Sequence, residues 1–226
     1  MAHPTDFVVT MLPSALTACR FAGDHPGALP QVFAMPAPKG LPGEAPESTR
    51  ARARHAARAA LQHLLAEEFR CTPDAIVLSN VRGQPVQALA WPHVGLSISY
   101  AADTIVLALF AGGEVGADLA AIDPAGCTDE LWRTAVLYLP PGDVSALGSH
   151  TSSAAFSKAF VDAWTRQEAR LKCVRQPLVE WSSSVESKFA GLRVSGVVLP
   201  DWACLNHVAA VAWRPLARPW RTGTSR

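Results

Sequence analysis

Two long amphipathic segments, separated by a run of short strand-like ones, constrain this chain more than any other feature. Over 47–69, Ala56, Ala60, Leu61, Leu64, Leu65 and Phe69 fall on one stripe at helical spacing, and Ser48 or Thr49 stands where a cap is needed. Over 152–174, Phe156, Phe160, Trp164 and Leu171 mark the packed side of a second helix. Between the helices the pattern changes: 94–99 alternates, 104–111 reads as a buried strand, and Gly112-Gly113 turns the chain into 115–119. These three segments predict an antiparallel meander.

The remaining segments read more simply. A first strand is expected at 7–12 and a short one at 76–79, with a long Pro/Gly-rich surface connection over 26–46 and a turn at 81–86. A helix at 128–139 and a short one restarting at Pro140-Pro141-Gly142-Asp143 precede the second long helix. Strands at 192–199 and 207–213 close the chain, and 214–226 reads as a frayed tail. The plan is α+β: two similar subdomains, 1–115 and 116–226, with antiparallel sheets each packed by a long helix.

Composition narrows the function classes. The 226 residues suit two small subdomains sharing an interface. Twenty Lys and Arg against nineteen Asp and Glu leave a net charge of +1, so bulk attraction to nucleic acid is excluded and any basic site must be local. The start, Met1-Ala2-His3-Pro4-Thr5-Asp6, has no basic n-region before an apolar run, and no segment approaches a membrane span. A cytoplasmic protein with no membrane partner is expected. Cys19, Cys71, Cys127, Cys173 and Cys204 are odd in number and widely spaced, and read as reduced structural thiols. The histidines lack ligand spacing, and Ser152, Ser153 and Ser157 form no nucleophile elbow.

Two motifs carry chemistry. Gly116-Ala117-Asp118-Leu119-Ala120 places a carboxylate at a strand end. Trp164-Thr165-Arg166-Gln167-Glu168-Ala169-Arg170-Leu171-Lys172 places Glu168 and Lys172 one helical turn apart on the same face. Together they could hold a divalent cation and a phosphate, whereas Glu168 and Lys172 alone would be an ordinary helix pair. Arg50, Arg54 and Arg58 fall at i, i+4 and i+8 and share a face, where guanidinium forks suit phosphate oxygens.

In order along 47–213, these residues resemble the Sfp-type 4′-phosphopantetheinyl transferases, including the enterobactin-type members. Residues 53–61 resemble the family's GR-xx-AR-x-AL helix, Gly83-Gln84-Pro85 its GKP turn, and Leu96-Ser97-Ile98-Ser99-Tyr100 its SISHS-like strand end. Residues 116–120 stand where GVDLE is expected, 138–143 echo F-L-S-P-x-E, and 164–172 resemble W-x-x-KEA-x-x-K. The resemblance implies Mg²⁺-dependent transfer of the phosphopantetheine arm of coenzyme A, the donor substrate, to a serine of an acyl or peptidyl carrier protein, releasing 3′,5′-ADP. Fatty acid, polyketide or nonribosomal peptide biosynthesis is the implied setting. Asp118 and Glu168 would be the metal ligands, Lys172 would meet the leaving group, and Glu168 would assist deprotonation of the carrier serine. Arg54, Arg58, Gln84, Pro85, Ser99, Tyr100 and Lys172 match the coenzyme A site, to which Arg50 is added by spacing. The partner would be a small acidic helical carrier, met by Arg133, Lys158, Arg166 and Arg170, and the enzyme would act as a monomer.

Four positions depart from the family pattern. Gln84 replaces a Lys and Tyr100 a His, each removing a positive charge worth about 1.5–3 kcal/mol in a phosphate contact. Gln167 replaces a Lys, and Ala120 replaces a second metal-binding carboxylate, for which Asp123 is the neighbouring acid. The alternative to an active transferase is therefore a relative that binds coenzyme A or a carrier without turnover. An unrelated α+β binding domain ranks last.

Overall fold

The segment Thr104–Phe110 is buried along its whole length, and the architecture follows from what covers its two faces. Ile105, Leu107 and Leu109 point into one apolar cluster, and Val106, Ala108 and Phe110 into another. A strand covered on both sides has no polar face to alternate with, which explains its unbroken apolar run. The structure is a computed structural model that describes residues 16–216 apart from 26, 82, 102, 124 and 125. The expected strand at 7–12 lies outside the described residues.

In chain order the described elements are β1 (Thr17–Ala18), β2 (Arg20–Phe21), β3 (Gln31–Pro36), α1 (Pro46–Phe69), β4 (Gly95–Ala101) and β5 (Thr104–Phe110). They continue with β6 (Gly113–Ala121), α2 (Thr128–Tyr138), α3 (Pro141–Leu147), α4 (Ser153–Cys173), α5 (Ser183–Lys188), β7 (Arg193–Val198), α6 (Asp201–Cys204) and β8 (His207–Pro215). Two four-stranded antiparallel sheets result, ordered β1-β3-β5-β4 and β2-β7-β8-β6. The fold is thus α+β, as the two long helices and short strands predict.

The layers run helix, sheet, sheet, helix. The stripe of α1, with Leu61, Leu64 and Leu65, covers the outer face of the first sheet; each such buried leucine contributes about 1.5–3 kcal/mol. Val115, Ala117 and Leu119 of β6 and Ala209, Val211 and Trp213 of β8 face the first sheet across the central core. The opposite faces of β6 and β8 meet α4, where Ala169, Cys173, Ala210 and Ala212 pack.

The structure corrects several expectations. The supposed connection at 26–46 contains β3, an inner strand paired with both β1 and β5; Pro30 and Pro36 flank it, and their turn signal masks the five intervening residues. Helix α1 begins at Pro46 after Ala45, with no side-chain cap from Ser48 or Thr49; both fall inside the helix, and proline at its start removes one of the unpaired amides and presets the backbone. The strand at 76–79 reduces to one bridge between Leu78 and Ala88. Strand β6 does not extend a meander with β5; it crosses to the second sheet and pairs with β8. Arg214 belongs to β8 rather than a tail, pairing with Glu114 at 2.6 Å.

Between the edge strands β4 and β6 a seam replaces the usual ladder. Ser97 Oγ accepts from the Ala117 amide at 2.9 Å, and Ser99 Oγ from the Leu119 amide at 3.1 Å. The pairs advance together, so the two strands run in the same sense. A Cβ on Gly95 would overlap the Gly113 carbonyl oxygen, so the third residue of this alternating set must be glycine.

Two outcomes follow for the fold. A Cβ on Gly116 would overlap the Ala169 carbonyl oxygen and the Cys173 amide nitrogen, so Gly116→Ala should destabilise by about 3 kcal/mol in urea unfolding; an unchanged midpoint would contradict the close packing. Burial, aided by the charge of Glu114, pushes the Cys173 thiol up to about 12, whereas Cys127 and Cys204 are exposed. A thiol reagent at neutral pH should therefore label Cys127 and Cys204 and spare Cys173 until denaturant is added, read by mass spectrometry.

Candidate functional site

Because Gly116 has no side chain, the last turns of α4 lie directly on β6, and the residues either side of Ala169 are carried to the strand end. Asp118, on the same face of β6, is 4% exposed and receives Lys172 Nζ at 2.6 Å on Oδ1. Ser99 of β4 completes a triangle: its hydroxyl donates to Asp118 Oδ1 at 2.9 Å and accepts from Lys172 Nζ at 3.1 Å. Lys172 is therefore tied to a residue 54 positions away rather than forming a surface pair with Glu168.

Burial first, then the charge of the neighbouring Asp118 carboxylate, push the Glu168 carboxyl above the ordinary carboxylate range, while Lys172 pulls the other way. Two neighbouring carboxylates in a sheltered place favour a proton or a cation between them. Ala120, next along this face of β6, packs against an apolar cluster containing Phe156 and Phe160. Among the described residues no group of three His, Cys, Asp or Glu side chains converges.

Lys172 opens onto a cleft of about 1060 Å³. Of the residues expected at a coenzyme A site, Arg54, Arg58, Gln84, Pro85, Tyr100 and Lys172 line it. Ser99 lies behind the wall, 4% exposed, and acts on Asp118 and Lys172 instead. Arg50 is exposed and is not part of the lining. The guanidinium of Arg58 donates to the carbonyls of Leu78 and Ser79 at 3.0 and 2.8 Å, fixing the floor of the cleft to α1. Gln84 and Pro85 follow a turn in which Gly83 has φ 77°, a conformation glycine adopts without strain, and the Gln84 amide reaches the Val81 carbonyl at 3.2 Å.

The cleft's charge is one-sided. Arg54, Arg58, Lys172 and Arg175 line it, and no carboxylate does among the described residues. Sequence reasoning did not single out Ser97, Ser79, Asn80 or Arg175, which lie in the wall. For Ser97 the alternation of Gly95, Ser97 and Ser99 was an available signal; for Arg175, a cation after a helix end looks like any solvated one. Gln167 is 2% exposed, so the lysine expected there would have been a buried charge; its amide oxygen accepts from Arg170 at 3.3 Å. Of the cations considered for a carrier, Arg133 and Lys158 are exposed, Arg166 pairs with Asp162 at 2.9 Å, and Arg170 is held by Glu186 and by the Phe189 ring.

No helix among the described residues is long and apolar enough to cross a membrane. No protein-family model matches the chain. The sequence is 30% identical over 151 residues to the 4′-phosphopantetheinyl transferase AcpT of Escherichia coli strain K12, covering 65% of this chain and 69% of that protein. AcpT of Escherichia coli O157:H7 matches with the same identity and coverage. At that identity over more than two thirds of the relative's length, the chain belongs to the 4′-phosphopantetheinyl transferase family.

Proposed function

We propose that this protein transfers the 4′-phosphopantetheine arm of coenzyme A to a serine of an acyl or peptidyl carrier protein, with Mg²⁺, releasing 3′,5′-ADP. The observation that carries the reading is the meeting of Asp118, Glu168 and Lys172 beside a cleft lined by cations and no carboxylate among the described residues. Two relatives bear the transferase name. The two subdomains would divide at 115/116, and the enzyme would act as a monomer because one chain supplies both sides of the site.

The carboxylates of Asp118 and Glu168, neighbours close enough to feel one another's charge, are hard oxygen donors that would hold Mg²⁺. When bound, Mg²⁺ would neutralise charge on the pyrophosphate. The carrier serine oxygen attacks the phosphorus bearing the pantetheine arm. The new O–P bond forms as the bond from that phosphorus to the bridging oxygen breaks, and 3′,5′-ADP departs. Glu168 takes the serine proton, directly or through water, and Lys172 meets the charge on the departing phosphate. Ser99 holds Lys172 and Asp118 in register. Arg133 and Lys158, both exposed, would face the acidic carrier.

Incubation with coenzyme A, Mg²⁺ and a panel of apo-carrier proteins should add one phosphopantetheine mass to a carrier. Glu168→Gln should lower the rate about 100-fold or more while coenzyme A still binds. Failure to modify any carrier that a working transferase modifies alongside would sink the reading. The lost charges at Gln84 and Tyr100 and the apolar setting of Ala120 favour a second reading, a coenzyme A binder without turnover; tight binding with no transfer would establish it.

Tyr100 tests the altered cleft separately. Burial raises its phenol above 10.0, opposed by Arg54 and Arg58, so it should serve as a neutral donor where a cation is usual. Neutral phenol is thus favoured by the fold, and this contribution is present below the unfolded pKa and lost as pH rises through the folded one. The chain has two tyrosines, so in Tyr138→Phe an ultraviolet titration reports Tyr100 alone, and its midpoint should lie above 10.0. A midpoint below that value would contradict the assignment.

A further inference from the structure

Helix α4 closes through a left-handed residue that is not glycine. Arg175 has φ 55°, its amide reaches the Lys172 carbonyl at 3.1 Å, and the Gln176 amide reaches Leu171 at 2.9 Å. Glycine is the usual residue at such a helix end, because a Cβ there is strained. Among the described residues Arg70, φ 52°, is the one other non-glycine with positive φ, and it closes α1 in the same way. The two differ in what lies beside them: Arg70 lines no cavity described above, whereas Arg175 lines both the main cleft and a smaller cavity of about 140 Å³ that shares Lys172, Pro85, Val86 and Leu96 with it.

The four cations of the cleft are not equally available. Lys172 is held by Asp118 and Ser99, and Arg58 donates to two carbonyls. Neither Arg54 nor Arg175 is engaged by its side chain in a hydrogen bond or ion pair with another described residue. They come from opposite halves of the chain, one on α1 and one beyond α4. A strained backbone position that sets a free guanidinium at the rim of an anionic-ligand cleft points to a ligand contact.

We infer that Arg175 is a phosphate-binding residue of this cleft, gripping a phosphate of the ligand from the second half of the chain while Arg54 approaches from the first. The ligand's identity as coenzyme A rests on the proposed function; the recognition of a phosphate anion does not. Arg175 thereby replaces cationic charge that Gln84 and Tyr100 do not provide.

Arg175→Gly is well suited to the test, since glycine is the residue that backbone favours. Calorimetry would measure coenzyme A with Mg²⁺ present and, separately, inorganic pyrophosphate without it, for the parent, Arg175→Gly, Arg175→Lys and Arg70→Gly. Arg175→Gly should bind both ligands about tenfold or more weakly, with a Tm no lower than the parent's; Arg175→Lys should recover part of the loss, and Arg70→Gly should bind as the parent does. Equal affinity of Arg175→Gly and parent for both ligands would overturn the inference, as would a parent that binds neither. Weakened pyrophosphate binding in a protein that modifies no carrier would uphold Arg175 and remove the transferase reading. Carrier modification with an unchanged affinity in Arg175→Gly would do the reverse.

Discussion

The site depends on how close a helix can come to a strand. A helix packed on a sheet normally stands off by the thickness of the side chains between them, but α4 brings its own Ala169 and Cys173 against Gly116, Ala210 and Ala212 of the sheet. At that depth the backbone of α4 touches that of β6, and Glu168 and Lys172 project to Asp118 without extending away from their own helix. Larger residues at these positions would lift the helix and separate the two carboxylates. The apolar packing and the polar chemistry are thus one constraint: small residues set the distance, and three charged ones use it.

How much of this could be read from the sequence follows from which signals are local. Helices α1 and α4 were legible because an apolar stripe repeats over many turns and outweighs any single position. Strand β3 was not, because Pro30 and Pro36 advertise turns and the strand between them is short. Periodicity identified β4, β5 and β6 but says nothing about partners, so the crossing of β6 into the second sheet was invisible. Asp118, Glu168 and Lys172 could be nominated from motif order, but their meeting depends on Gly116, and Ser99 as the bridge depends on the strands' relative register. Arg175 carried no signal at all, since its backbone conformation and its place at the rim exist only in the folded chain.

Charge is distributed unevenly despite the near-neutral total. The net charge of +1 gives no long-range field to speak of. Within the cleft, however, the described cations have no acidic partner in the wall, and Asp118, paired to Lys172, does not line it. Such a site discriminates by local geometry rather than by attraction at a distance. A multiply charged, compact anion matches it, whereas a long polyanion would find little to hold on the rest of the surface.

The seam between β4 and β6 has a consequence for how mutable this protein is. A backbone ladder is largely indifferent to which side chains it carries, so most sheet junctions tolerate exchange of one apolar residue for another. Here the junction is written in side chains: the hydroxyls of Ser97 and Ser99 serve main-chain groups of the neighbouring strand, and Gly95 makes room for it. Even alanine, the mildest of replacements, would strand buried amides at 97 or 99 and would not fit at 95. A stretch that looks like an ordinary strand is therefore among the least substitutable in the chain, because joining two sheets already demands each of these side chains.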